Sequence, residues 1–242
     1  MKKKKKWVLS LFLAFLVAGI LFLYNAMNGN PASKFFSKTA LKTYLAETYP
    51  DKEFTIRNGF YNFKDSGYSF DVIQIGDEQQ KEYEFTVNGF FKPEVRYDGI
   101  YYASLDTPLI EKLEQEAEAE MFARLADKES NLANVDVQLE VLEGTYGSDT
   151  KWNKHLKLEK PMYVHIVVDA GGMDKKEMLE SAVAIQQAMN DEGYIYGRAT
   201  INGNNMEEAE EMDQDHFGYV KYSVSFTKND KIKESQIEVL EE

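Results

Sequence analysis

The sequence predicts an α+β protein: an N-terminal transmembrane helix followed by two small layers, each an antiparallel sheet with helices laid against it. Three observations carry this. An uncharged apolar run from Trp7 to Met27 follows five consecutive lysines. Behind a helical segment, residues 54 to 101 alternate apolar and polar at the two-residue period of half-buried strands. From residue 135 a second set follows in the order strand, strand, helix, strand, strand.

Trp7 to Met27 is 21 residues, and at ~1.5 Å of rise per residue it reaches roughly 30 Å, the thickness of the bilayer hydrocarbon. A cleaved secretory signal has a shorter apolar region, about 7 to 15 residues, ending in a small-x-small site. No clear site of that kind follows here, although Gly19 and Ala26 leave cleavage open. Trp7 and Tyr24 lie near the two ends, where amphipathic rings favour the headgroup layers. Lys2 to Lys6 abut the span directly, and a basic flank stays on the untranslocated side, so the N-terminus is expected in the cytoplasm and residues 28–242 outside. Lys34, Lys38 and Lys42 lie on the far side but are fewer. The chain has no cysteine, which excludes disulfides and lipid attachment to an N-terminal cysteine.

Lys2 to Lys6 are five of the 28 basic residues, and no acidic residue precedes position 28. The rest therefore holds 23 basic against 41 acidic residues, a net charge of −18. Nucleic acid is excluded as a partner on this ground, because phosphate backbones are bound by cations that displace counterions. Positions 49 to 102 hold 14 Tyr or Phe, about twice the whole-chain aromatic fraction of 13%. That density fits the buried face of a pleated sheet; a sugar-stacking platform is the alternative.

Three segments follow: residues 1–27 as lysine run and anchor, 28–130 as a first module, and 131–242 as a second. Asn30-Pro31 opens a helix through about Thr48. Phe54 to Phe63, then Tyr68, Phe70 and Val72, then Tyr83, Phe85 and Val87 read as three strands, with Val95, Tyr97 and Tyr101 as a less regular edge strand. Asp106-Thr107-Pro108 starts a helix with an apolar stripe of Leu109, Leu113, Ala117, Met121 and Leu125; Glu111, Glu114 and Glu118 form its acidic opposite face. Residues 135–142 and 162–168 read as strands. Asp174 to Glu177 is a capping box opening a helix through Met189, which Gly193 terminates. Strands around Ile195–Ile201 and Phe217–Phe226 complete the second module.

No arrangement of side chains demands a particular chemistry. His155, His165 and His216 are the only histidines, and no two share a helical metal face. His165 reads as a hydrogen-bonded structural residue of its strand. Asp213-x-Asp215 starts like a calcium loop, but Phe217 and Val224 stand where ligands belong. The cluster Glu207, Glu208, Glu210, Glu211, Asp213 and Asp215 reads as a solvated loop. Asp169-Ala170-Gly171-Gly172 lacks the lysine and spacing of a phosphate loop and reads as a strand-to-helix turn. No serine sits in a nucleophile elbow. Lys34, Lys38 and Lys42 line one side of the first helix, either solvated or against anionic headgroups. Catalytic, cofactor and metal residues are thus assigned to none, and binding residues are left open.

Gly29-Asn30-Pro31, Tyr44-Leu45, Tyr61-Asn62-Phe63-Lys64-Asp65, Tyr68-Ser69-Phe70 and Tyr97-Asp98-Gly99-Ile100 resemble the membrane-anchored YfjL-like proteins of Gram-positive bacteria, over roughly residues 28 to 127. The resemblance implies a cell-envelope address and a two-part outer region, with no assigned activity and no functional residues to carry over. The helix-then-three-strands order is also similar to small PepSY-like modules, which are linked with binding envelope peptidases; that similarity is of element order alone. The expectation is a membrane-anchored extracytoplasmic protein, a non-catalytic binding or regulatory module. Its partners are the lipid bilayer, through the N-terminal helix, and another envelope protein. An envelope hydrolase using acidic residues is the alternative, so whether the protein is an enzyme is left open.

Overall fold

The computed structural model describes residues 2–57, 59–89, 92–206 and 217–240. Helix α1 (Lys2–Asn28) contains the whole apolar run. Its described large apolar side chains, among them Trp7, Leu13, Ile20 and Tyr24, are exposed. Among the described residues it is the one helix long and apolar enough to cross a membrane. The chain divides into two compact units, residues 1–103 and 104–242.

The first unit joins α1 to helix α2 (Pro31–Thr48) through only Gly29 and Asn30. Asn30 caps α2, its side chain accepting from the Ser33 amide at 2.9 Å. Tyr68 then locks the junction, its hydroxyl receiving the Asn30 amide and donating to the Asn30 carbonyl, both at 2.8 Å. Gly29 has φ +65°, and a Cβ there would fall 2.2 Å from that hydroxyl, so the position tolerates only glycine on two separate grounds.

Strands β1 (Phe54–Ile56), β2 (Phe60–Asn62), β3 (Gly67–Gln74), β4 (Glu82–Asn88) and β5 (Glu94–Asp98) form one antiparallel sheet in the order β1-β3-β4-β5, with β2 also on β3. Leu41 and Leu45 of α2 pack on Tyr68, Phe70, Val72, Phe85 and Val87. The single strand expected over Phe54–Phe63 is instead two. Ile56 pairs with Val72 and Phe60 with Ser69, and between them the Arg57 amide donates to the Asp71 carbonyl at 2.8 Å. Gly59 lies against the Ser69 carbonyl, so close that a Cβ there would clash with it. The edge strand also ends sooner than expected. Asp98 Oδ1 accepts the amides of Ile100 and Tyr101, turning the chain into the short helix α3 (Gly99–Ala103).

The second unit begins with helix α4 (Thr107–Ala126), capped by Asp106. Placing this helix in a first module that ends near residue 130 is therefore corrected: the division falls between Ala103 and Ser104. Its stripe Leu109, Leu113, Ala117, Met121 and Leu125 is buried with the second sheet, not the first. That sheet has the order β10-β9-β8-β7-β6, from β6 (Leu132–Gln138), β7 (Met162–Asp169), β8 (Tyr196–Asn205), β9 (Tyr219–Phe226) and the two-residue β10 (Glu238–Val239). It is not wholly antiparallel, because β7 and β8 run parallel. Helix α5 (Lys175–Asp191) supplies the crossover such a pair requires, opening on the anticipated capping box of Asp174 and Glu177.

Candidate functional site

The second sheet is covered by helices on one face. Val135, Val137, Val164, Ile166, Val168, Ala199 and Ile201 point there, into the core with α4 and α5. Strand alternation sends Asn134, Asp136, His165, Thr200, Asn202, Ser223 and Ser225 to the other face. Register aligns them: Asp136 pairs with His165, His165 with Thr200, and Thr200 with Ser225, across four strands.

Five of these side chains, Asn134, Asp136, His165, Asn202 and Ser223, bond to one another in a continuous row. Asn134 Nδ2 donates to Asp136 Oδ1 at 3.0 Å, and Asp136 Oδ2 lies 3.1 Å from His165 Nδ1. On the other side of the ring, His165 Nε2 lies 3.0 Å from Asn202 Nδ2, while Asn202 Oδ1 accepts from the Ser223 hydroxyl at 2.9 Å. Because Asn202 donates to Nε2, the imidazole carries its proton on Nδ1 and gives it to Asp136. An Asp–His pair of this kind orients a general base when Nε2 faces a nucleophile. Here an amide occupies Nε2, and the nearest linked hydroxyl, Ser223, lies beyond it. Thr200 Oγ1 and Ser225 Oγ meet at 2.8 Å, and an Arg198 guanidinium nitrogen donates to Ser225 Oγ at 3.0 Å.

His165 is thus the hydrogen-bonded histidine its strand position predicts. Asn202, Ser223 and Asp136 escaped notice because only sheet register brings them to it. His155 sits in a loop, its amide bonded to Asn153. His216 and the acidic cluster of residues 207–215 lie outside the described residues. Among the described residues no three His, Asp or Glu come together as a metal site. The Asp169–Gly172 segment is the expected turn, its carboxylate taking the Gly171 amide and Lys221 Nζ reaching the carbonyls of Gly171 and Met173. Of the three lysines on α2, Lys38 donates to the Ile56 carbonyl at 3.1 Å.

The deeply placed carboxylates are engaged with the fold. Asp98, buried beneath α2, accepts the Tyr44 hydroxyl at 2.9 Å and the Tyr49 hydroxyl at 2.7 Å. Burial, then the hydrogen bond to Asp98, pushes the Tyr44 phenol up to about 12 and the Tyr49 phenol higher still. Glu129 accepts the Ser181 hydroxyl at 2.7 Å and the Asn131 amide. In the first unit, a cleft of about 640 Å³ lies between the end of α1 (Phe22, Asn25, Ala26) and the sheet end formed by Tyr61, Asp65, Gly67, Asn88 and Gly89.

The YfjL-like N-terminal domain matches residues 4–99, and the YfjL-like C-terminal domain matches residues 116–241. These ranges fall one in each unit. "Uncharacterized protein YfjL" of Bacillus subtilis (strain 168) is 32% identical over 237 residues, covering 98% of this chain and 99% of that protein. A crystal structure of a DUF5037 family protein from Ruminococcus gnavus ATCC 29149 aligns with 78% of this chain and 89% of its own, at 14% identity and a TM-score of 0.23. With both domains matched in order and a relative alike from end to end, the chain belongs to the YfjL-like family.

Proposed function

We propose that this is a single-pass membrane protein with a cytoplasmic N-terminus, whose outer part, residues 28–242, is a non-catalytic binding or regulatory module of the cell envelope. The observation that carries the binding reading is the polar face of the second sheet. Its side chains are held by their neighbours in fixed orientations across four strands, so a partner would meet a preorganised set of donors and acceptors and lose little ordering entropy in binding it. The same engagement argues against hydrolysis. A carboxylate acid or base needs reach to a substrate proton, whereas Asp98 and Glu129 already hold hydroxyls and backbone amides. A membrane tether adds effective concentration toward other membrane proteins, so modest contacts suffice.

The test is a photo-reactive residue at Arg198, on the polar face, compared with one at Gln115 on the exposed side of α4, each in the full-length protein in its native membrane. A defined envelope protein should crosslink from position 198 and not 115, and His165→Ala with Asn202→Ala should abolish it. Equal capture of abundant bystanders from both positions, together with turnover of wall peptides or glycans by the purified protein, would replace this reading with the hydrolase.

A further inference from the structure

The first unit carries exposed aromatic rings that its core does not explain. Phe35 is 68% exposed and Phe36 52% on the opening turns of α2, where they contact each other edge to face. Phe63, in the turn between β2 and β3, is 54% exposed, and Phe60 beside it is exposed as well. All four belong to one end of the unit. Tyr68, at the start of β3, bonds to Asn30 and Ser33 of the α2 cap, and Asn88 at the end of β4 donates to the carbonyl of Asp65 in the β2–β3 turn. The cap, the turn and the end of β4 are therefore neighbours.

That end adjoins α1. Phe22, Asn25 and Ala26 share a cleft with Asp65, Ser66 and Gly89, so the β2–β3 turn stands beside the last two turns of the anchor. A 27-residue helix is ~40 Å long, about 10 Å more than the hydrocarbon and enough to bring its ends into the headgroup layers. The unit cannot swing away. Its link to α1 is two residues, one fixed at φ +65° against Tyr68 and the other bonded to the Tyr68 hydroxyl through both its amide and its carbonyl.

We infer that the first unit docks end-on onto the outer leaflet of the bilayer, with Phe35, Phe36 and Phe63 seated among the phospholipid headgroups as a continuation of the anchor. This rests on the reading of α1 as a transmembrane helix. Aromatic rings gather at that depth in membrane proteins. Lys34 and Lys64 flank the rings in an outer part that is otherwise strongly acidic, and they complement lipid phosphate; Asp65 in the same turn is held by the Asn62 side-chain amide. Of the three α2 lysines left between two readings by the sequence, Lys34 thus has a surface to face, while Lys38 is held by the Ile56 carbonyl.

The absence of cysteine permits a clean test. Single cysteines are placed at Phe35, Phe63, Ile75 and Ala14 in the full-length protein, labelled with an environment-sensitive fluorophore, and reconstituted into phosphatidylcholine–phosphatidylglycerol vesicles containing lipids spin-labelled near the headgroup or deep in the chain. Ile75 is the control, being 55% exposed at the opposite end of β3. Labels at 35 and 63 should be blue-shifted and quenched severalfold more by the shallow spin label than label 75. Label 14 should be quenched by the deep one. If 14 is quenched while 35 and 63 behave like 75, the docking inference is wrong and the anchor stands. If 14 remains in water, both fail.

Discussion

The carboxylate of Glu118 accepts the backbone amide of Val137 at 3.0 Å, and one helical turn earlier Glu114 accepts that of Leu139 at the same distance. Among the described residues strand β6 is an edge strand, bonded only to β7, so alternate amides along it point away from the sheet with no ladder partner there. Such an edge invites pairing with another chain. Helix α4 closes it with carboxylates spaced one turn apart, while its apolar stripe packs into the core beside them. The acidic face anticipated for this helix is in part not a solvated face.

Glu118→Ala should cost about 1–3 kcal/mol, because it leaves the Val137 amide without an acceptor in a partly buried setting. Glu118→Gln, which retains an acceptor oxygen, should cost well under half of that. Hydrogen exchange of the Val137 amide reads the effect locally. Unchanged protection in the alanine variant would mean that water replaces the carboxylate at no cost.

Glu114 gives a pH dependence of definite sign. Burial raises its pKa above the ordinary carboxylate value; the Leu139 amide opposes that, and Glu118 and Glu111 add to it. A group whose folded pKa is raised contributes stability that is complete below its unfolded pKa and lost as pH rises through its folded value. Glu114→Gln keeps an acceptor for Leu139 and removes the charge. The variant should match the parent at acid pH and exceed it in melting temperature at neutral pH. A variant less stable at pH 7 than the parent would contradict this assignment.

Asp98 holds the first unit together through two tyrosines 54 and 49 residues upstream. Asp98→Ala removes the acceptor of both hydroxyls and the cap of α3, and should cost about 3 kcal/mol; Tyr49→Phe should cost about 1 kcal/mol. The Tyr44 phenol, raised to about 12, contributes stability that is complete below its unfolded pKa near 10 and lost as pH rises through 12. Absorbance titration at alkaline pH should show delayed ionisation in the parent, returning toward ordinary tyrosine behaviour in Asp98→Ala.

What the sequence disclosed and withheld divides along physical lines. Local signals are legible: the Asn30 and Asp174 caps, the Pro108 helix start and the alternation of Tyr68, Phe70 and Val72 depend on residues a few positions apart. Pairing across distance is not. The parallel alignment of His165 with Thr200 and the Tyr49–Asp98 bond depend on tertiary placement, and the assignment of α4 to the second sheet turns on which of two apolar faces its stripe meets. The candidate polar face was visible only as the outward half of each strand. Its side-chain row exists because register joins Asp136, His165 and Asn202.

The last prediction concerns the orientation on which the envelope reading depends. Lys2 to Lys6 lie within α1 itself, directly before its apolar stretch, and moving that cluster through the hydrocarbon would desolvate several ammonium groups at once, each at a cost of about 2.5–3.5 kcal/mol on insertion scales. The opposite end of α1 leads into a folded unit whose nearby lysines are separated by uncharged residues. On the proposed reading, this asymmetry is expected to retain the N-terminus in the cytoplasm and to export the two units. Protease added to intact cells should digest the protein beyond Tyr24, leaving a short protected fragment, and replacing Lys2 to Lys6 with neutral residues should yield a mixed population of protected and digested chains. Full protection of residues 28–242 in unaltered cells would place both units inside, and with them every partner and surface argued from an external address would have to be given up.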